Sequence, residues 1–153
     1  MRIVGVDLGQ RRIGLAISDG SAMLARPFRT LERGPSDEAA VDLLQTALQQ
    51  IDAELSGDDE VGCLVVGLPT RLDGTAGDQT ARVQKVVALL STRITVPIVL
   101  QDERLSSREA EERLAVQERD WRKRKVKLDA AAAAVILQDY LDGMRRGSGI
   151  GDQ

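Results

Sequence analysis

The 153-residue chain contains no histidine. Its absence excludes Ser-His-Asp and Cys-His nucleophile systems, imidazole acid–base chemistry and every histidine-ligated metal site. A single cysteine, Cys63, excludes an intramolecular disulfide and any cysteine-built zinc or iron–sulfur centre. Three aromatics, Phe28, Trp121 and Tyr140, are too few for platforms that stack single-stranded bases. The longest apolar run, Val61 to Leu68, is far short of the ~20 residues that cross a bilayer. An acid, Asp7, falls inside what would be the apolar region of a signal peptide, so no export signal is expected. Together with the lone cysteine this predicts a cytoplasmic protein. Any chemistry must come from carboxylates, Lys, Arg, hydroxyls, backbone dipoles or a hard metal ion.

What is present is charge. The 21 basic residues stand against 24 acidic ones, for a net −3, and only four of the 21 are Lys. Arginine carries a planar fork that grips phosphate bidentately. With 42% hydrophobic residues, a chain of this length builds one core. One domain over residues 1–143 is expected, with 144–153 as a flexible tail.

Arg2 to Leu8 alternates and is β-branched, so it reads as a strand. After a Gly9-Gln10-Arg11 turn, Arg12 to Ser18 reads as its hairpin partner. Leu24 to Leu31 reads as a third strand, held to an edge by Pro27. Pro35-Ser36-Asp37-Glu38 starts a helix whose apolar face is Val41, Leu44, Leu48, Ile51 and Leu55. Val61 to Leu68 suits a strand covered on both faces. Val83, Val86, Val87 and Leu90 mark a second helix, and Pro97 to Leu100 a short strand ending in Gln101-Asp102-Glu103. Ser106-Ser107-Arg108-Glu109 is a capping box for a third helix. A basic stretch, Arg119 to Lys127, leads into a last helix from about Leu128 to Leu141, with alanines at 130–134 that permit close approach. The order β-β-β-α-β-α-β-α-α predicts an α/β fold, a mixed sheet flanked by helices.

Gly9 to Gly14 has P-loop glycine spacing, but Leu15-Ala16 replaces the required Lys-Ser/Thr, so it is no Walker site. Asp7 is a carboxylate in an otherwise apolar strand, costly there unless compensated. It reads either as a cap on the following turn or as a metal ligand. Of Asp102 and Glu103, strand alternation lets at most one join Asp7. Asp129 at the start of the last helix reads either as a helix-dipole acid or as a third ligand. Three acids from three elements would make an all-oxygen site that suits Mg²⁺ or Mn²⁺. Two such ions clamp the attacking and leaving oxygens of a phosphodiester. Arg119, Arg122, Lys123, Arg124, Lys125 and Lys127, opposed only by Glu118 and Asp120, are candidate phosphate contacts. Arg11, Arg12 and Arg104, next to the candidate acids, join them.

Four segments resemble the YqgF family of bacterial proteins, described as Holliday-junction-resolvase-like and as pre-16S rRNA nucleases. They are Gly5-Val6-Asp7-Leu8-Gly9 with Arg12 to Asp19; Val66-Gly67-Leu68-Pro69 with Asp73-Gly74-Thr75; Asp102 to Ser107; and Asp129 to Ala133 with Ile136-Leu137. The resemblance implies a ribonuclease H-like fold with a mixed five-stranded sheet. It also implies a cytoplasmic Mg²⁺- or Mn²⁺-dependent nuclease that processes the 5′ end of pre-16S rRNA. It assigns the acidic triad to Asp7, Glu103 and Asp129, preferring Glu103 to Asp102. Gln10 and Thr70-Arg71 depart from the family pattern near the expected cleft. The rival readings are a junction resolvase on four-way DNA, which would work as a homodimer, and a non-catalytic RNA-binding assembly factor. A lone lobe of the actin and sugar-kinase type, suggested by Asp-Leu-Gly at a hairpin turn, is too short to close around ATP.

Overall fold

Alternation along the first strand decides the layering. Ile3 and Asp7 face one side of the sheet, and Val4, Val6 and Leu8 the other. The computed structural model describes residues 1–55, 57, 59–70, 76–103 and 121–150, with side chains in the last segment described over 129–146. Its elements are β1 (Arg2–Leu8), β2 (Arg12–Ser18), β3 (Ala25–Glu32), α1 (Asp37–Glu54), β4 (Val61–Leu68), α2 (Asp78–Ser91), β5 (Ile98–Asp102) and α3 (Trp121–Ile150). The helix predicted from Ser106 lies outside the described residues.

The sheet order is β3-β2-β1-β4-β5, with β1, β2 and β3 antiparallel and β4 and β5 running parallel to β1. This is the mixed five-stranded sheet that the sequence predicts. Pro27 sits on the edge strand where the register shifts: Leu15 pairs with Arg29 but Ala16 with Pro27, leaving Phe28 as the extra residue. A bulge on an edge is where a residue without an N–H is tolerated.

Each sheet face has its own core. On one, Val41, Leu44 and Ile51 of α1 and Val83, Val86 and Leu90 of α2 pack on Val4, Val6, Ile13, Leu15 and Leu64. Ser36 caps α1, its Oγ accepting the Ala39 N–H at 3.1 Å. On the other, Ala133, Ile136, Leu137 and Leu141 of α3 pack on Ile3, Ala16, Cys63 and Val65. Gln138 ties α3 to the β2–β3 connection, accepting the Ala25 N–H (2.8 Å) and donating to the Met23 carbonyl (3.1 Å).

The last helix differs from its sequence expectation at both ends. It begins at Trp121 rather than near Leu128, so the run read as a basic lead-in is helical from there on. Arg and Lys are good helix formers, and neither Gly nor Pro interrupts the run. It also continues through Gly143 to Ile150, across residues expected as a tail. Among the described residues no helix is long and apolar enough to cross a membrane.

Candidate active site

β1, β4 and β5 run parallel, so their carboxyl ends gather at one end of the sheet, where open α/β sheets place their ligands. Asp7 is the penultimate residue of β1, on the face covered by α3. Directly opposite it in the register is Gly14 of β2. A Cβ at Gly14 would lie 1.9 Å from the Asp129 carbonyl oxygen and 2.3 Å from its carbon. Only a bare backbone lets α3 come down here, and that docking brings Asp129 beside Asp7. Asp129 is therefore not the first-turn acid of its helix; α3 has no acid in its first turn, so the helix-dipole reading fails.

Glu103 follows the last residue of β5, its N–H bonded to the Leu68 carbonyl at 3.2 Å. Its carboxyl lies over Gly67 of β4, where a Cβ would come 2.6 Å from Glu103 Oε2 and 2.6 Å from Ile136 Cδ1. Asp102, by contrast, is exposed and accepts a hydrogen bond from Thr70 Oγ1 at 3.0 Å. The choice that strand alternation left open thus falls to Glu103 as the acid that meets Asp7.

The electrostatics follow from burial. Desolvation pushes the Asp7 carboxyl up to about 6, the Asp129 charge adds to the rise, and a hydrogen bond from Glu103 opposes it. Desolvation lifts Glu103 to about 8, reinforced by the charge of Asp7, the hydrogen bond to it and the charge of Asp102. The proton of the pair therefore rests on Glu103, which donates it to Asp7. Buried Glu103 Oε2 has no hydrogen-bond partner. Asp129 forms an ion pair with Arg12 (Nη1 to Oδ2, 3.7 Å).

All donors here are carboxylate oxygens, buried and crowded enough to retain a proton, and Glu103 Oε2 accepts no hydrogen bond. That set fits a hard divalent cation. As the side chains stand, no three Asp, Glu or Cys groups among the described residues are already gathered as a metal-holding cluster. The acids are coupled pairwise, Asp7 with Glu103 and Asp7 with Asp129.

Of the candidate basic contacts, Arg12 is committed to Asp129. Arg11 is exposed in the β1–β2 turn, and its carbonyl accepts the Arg33 N–H at 2.9 Å. Arg122, Lys123, Arg124, Lys125 and Lys127 occupy the first two turns of α3 by backbone, while their side chains, and all of Arg104 and Arg119, lie outside the described residues. Asp19 serves its own turn: hydrogen bonds from the Leu24 N–H, Ser21 and the Met23 N–H hold its carboxyl at about 2. Sequence reasoning missed the positioning roles of Gly14 and Gly67. The signal was available, since glycine inside a strand marks a close backbone approach. It also missed Arg33, which donates to the Gly9 carbonyl (3.1 Å) and to Asp37 Oδ1 (2.6 Å), clamping the turn after Asp7 to the start of α1.

Known proteins match this architecture along nearly its whole length. A protein from Crocosphaera subtropica named "Putative pre-16S rRNA nuclease" is 42% identical over 144 residues, covering 93% of each chain. One of the same name from Anaeromyxobacter dehalogenans (strain 2CP-1) is 42% identical over 142 residues, covering 93% of this chain and 97% of its own. Among solved structures, Thermus thermophilus RuvC in complex with a Holliday junction superposes with a TM-score of 0.53 at 15% identity, over 95% of this chain and 96% of that one. Fowlpox virus resolvase with Holliday junction DNA gives 0.55 at 10% identity, over 94% and 99%. At such identities these two establish the fold, which is ribonuclease H-like. The family described as "RuvX: Holliday junction resolvase" matches residues 1–143. The chain belongs to this RuvX family, the one its sequence motifs resemble under the name YqgF.

Proposed function

We propose that the chain is a divalent-metal-dependent nuclease that hydrolyses phosphodiester bonds in structured RNA, processing the 5′ end of pre-16S rRNA in the cytoplasm. One observation carries the reading: Asp7 of β1 is buried beside Glu103 at the end of β5 and near Asp129 of α3, and burial, reinforced by the neighbouring carboxyls, holds Asp7 and Glu103 well above the ordinary carboxylate range. Such crowding weakens a fold unless a positive charge relieves it.

Asp7, Glu103 and Asp129 would hold Mg²⁺ or Mn²⁺. When bound, such ions supply Lewis acidity, lower the pKa of water and, as a pair, clamp both oxygens of the displacement. The residues do the rest. Glu103 and Asp7 give up the shared proton on loading, so loading strengthens as pH rises. Arg12 holds Asp129 in place and offers its remaining donors to a phosphate. Arg11, Arg104 and the basic residues from Arg122 to Lys127 are the proposed backbone contacts. With no histidine in the chain, no imidazole assists the attacking water.

The family description favours a second substrate, the four-way DNA junction, which a two-fold homodimer would cut symmetrically. A cleavage panel separates the readings. It offers a precursor 16S rRNA 5′ end, single strands, duplexes and a four-way junction, each with Mg²⁺ or Mn²⁺. The rRNA end should be cut, and Asp7→Asn should bind it without cutting. Paired symmetrical cuts in the junction alone would transfer the activity to DNA. Binding without cleavage under every condition would leave only an assembly factor.

A further inference from the structure

A second charged feature lies on the opposite side of the β1–β2 turn from the acids. Gln10, Arg33, Ser36, Asp37, Arg82 and Lys85 line a cavity of about 420 Å³. Arg82 and Lys85, three apart on α2, present their heads on one helix face. Both are exposed, and neither forms an ion pair among the described residues. Asp37, the acid in the lining, is neutralised by Arg33 at 2.6 Å. Two uncommitted cations therefore dominate the cavity.

Its walls are braced. Arg33 joins the Gly9 carbonyl to Asp37, so the turn and the start of α1 move as one body. A smaller adjoining cleft is lined by Leu8, Gly9, Gln10, Arg33 and Arg82, so Arg82 reaches the chain that leaves Asp7. Gln10 is three residues past Asp7, so their Cα atoms are at most about 11 Å apart.

We infer that this cavity is a phosphate subsite, in which Arg82 and Lys85 hold a backbone phosphate of the same nucleic acid strand that meets the acid centre. The inference rests on the nuclease reading and deepens it. The acids alone repel a polyanion, whereas a cationic hold within a short reach fixes the strand and its register. A cavity lined by arginine, lysine and a glutamine amide suits a phosphodiester. RNA and DNA backbones are both admissible.

The test is salt-dependent binding, which does not require cleavage. Fluorescein-labelled hairpin RNA and duplex DNA are titrated by anisotropy with the full chain in EDTA, between 50 and 200 mM KCl. The wild type is compared with Arg82→Glu/Lys85→Glu, with the milder Arg82→Ala/Lys85→Ala, and with Arg26→Glu at the far end of the sheet. Each lost phosphate contact should lower the slope of log K against log salt by about 0.9 on the duplex, with a like loss on the paired stem of the hairpin. Both double variants should show that loss while melting like the wild type, and Arg26→Glu should not. Equal slopes in all four proteins, or no binding by the wild type, would overturn the subsite. Wild type that binds with the expected slopes but cuts nothing would sink the nuclease reading and leave the subsite standing.

Discussion

Replacing Asp7 with Asn keeps the shape of the side chain and removes its charge. In the metal-free protein, Asp7 and Glu103 have native pKa values of about 6 and about 8, above their ordinary 3.8 and 4.5. The native state thus keeps protons that the unfolded chain has released. The stability this contributes is complete below about pH 4 and is lost as pH rises through 6 and then 8. One pKa unit corresponds to about 1.4 kcal/mol. The Glu103 shift is partly caused by Asp7, while Glu103 itself lowers Asp7, so the two do not simply add. Losing the Asp7 charge should therefore recover about 1–3 kcal/mol at pH 9. Urea unfolding in EDTA from pH 5 to pH 9 measures this. Wild-type stability should fall across the range, and Asp7→Asn should fall less steeply and overtake it by pH 9, while losing cleavage. Parallel curves, or a variant less stable than wild type at pH 9, would refute the reasoning.

Gly14→Ala places a methyl against the Asp129 carbonyl; since backbone cannot swing aside, it should cost about 3 kcal/mol or more in urea melts. Gly67→Ala meets the ends of the Glu103 and Ile136 side chains, which can shift; single-turnover rates should fall more than tenfold while stability drops by only about 1–2 kcal/mol. Gln138→Ala unties α3 from Ala25 and Met23; it should cost about 1–2 kcal/mol in thermal melts and leave the cleavage rate of the folded protein unchanged.

The sheet was legible because its signals are local. The unbroken apolar run at Val61–Leu68 and the alternation at Arg2–Leu8 became β4 and β1 with those bounds. Pro27 on an edge strand followed from one missing donor, whereas the bulge beside it carried no such signal. The acids were legible as types but not as a geometry. Asp102 and Glu103 are neighbours, and their different fates depend on the chain leaving β5 over Gly67. Asp129 was misplaced within its helix because a dense basic run reads as solvated loop, although those residues favour helix. Arg82 and Lys85 carried no signal at all: spaced three apart on an amphipathic helix, they read as an ordinary polar face, and only the fold brings the β1–β2 turn beside them.

The central claim is that Asp7, Glu103 and Asp129 act together as a cation site. Calorimetric titration of Mn²⁺ into the metal-free protein at pH 6 and pH 8 tests it most directly, with Glu103→Gln alongside. The account predicts binding that tightens from pH 6 to pH 8 as the shared proton leaves, and a marked loss of affinity in Glu103→Gln at pH 8. Equal Mn²⁺ affinity in both proteins, or none in the wild type at either pH, would contradict it.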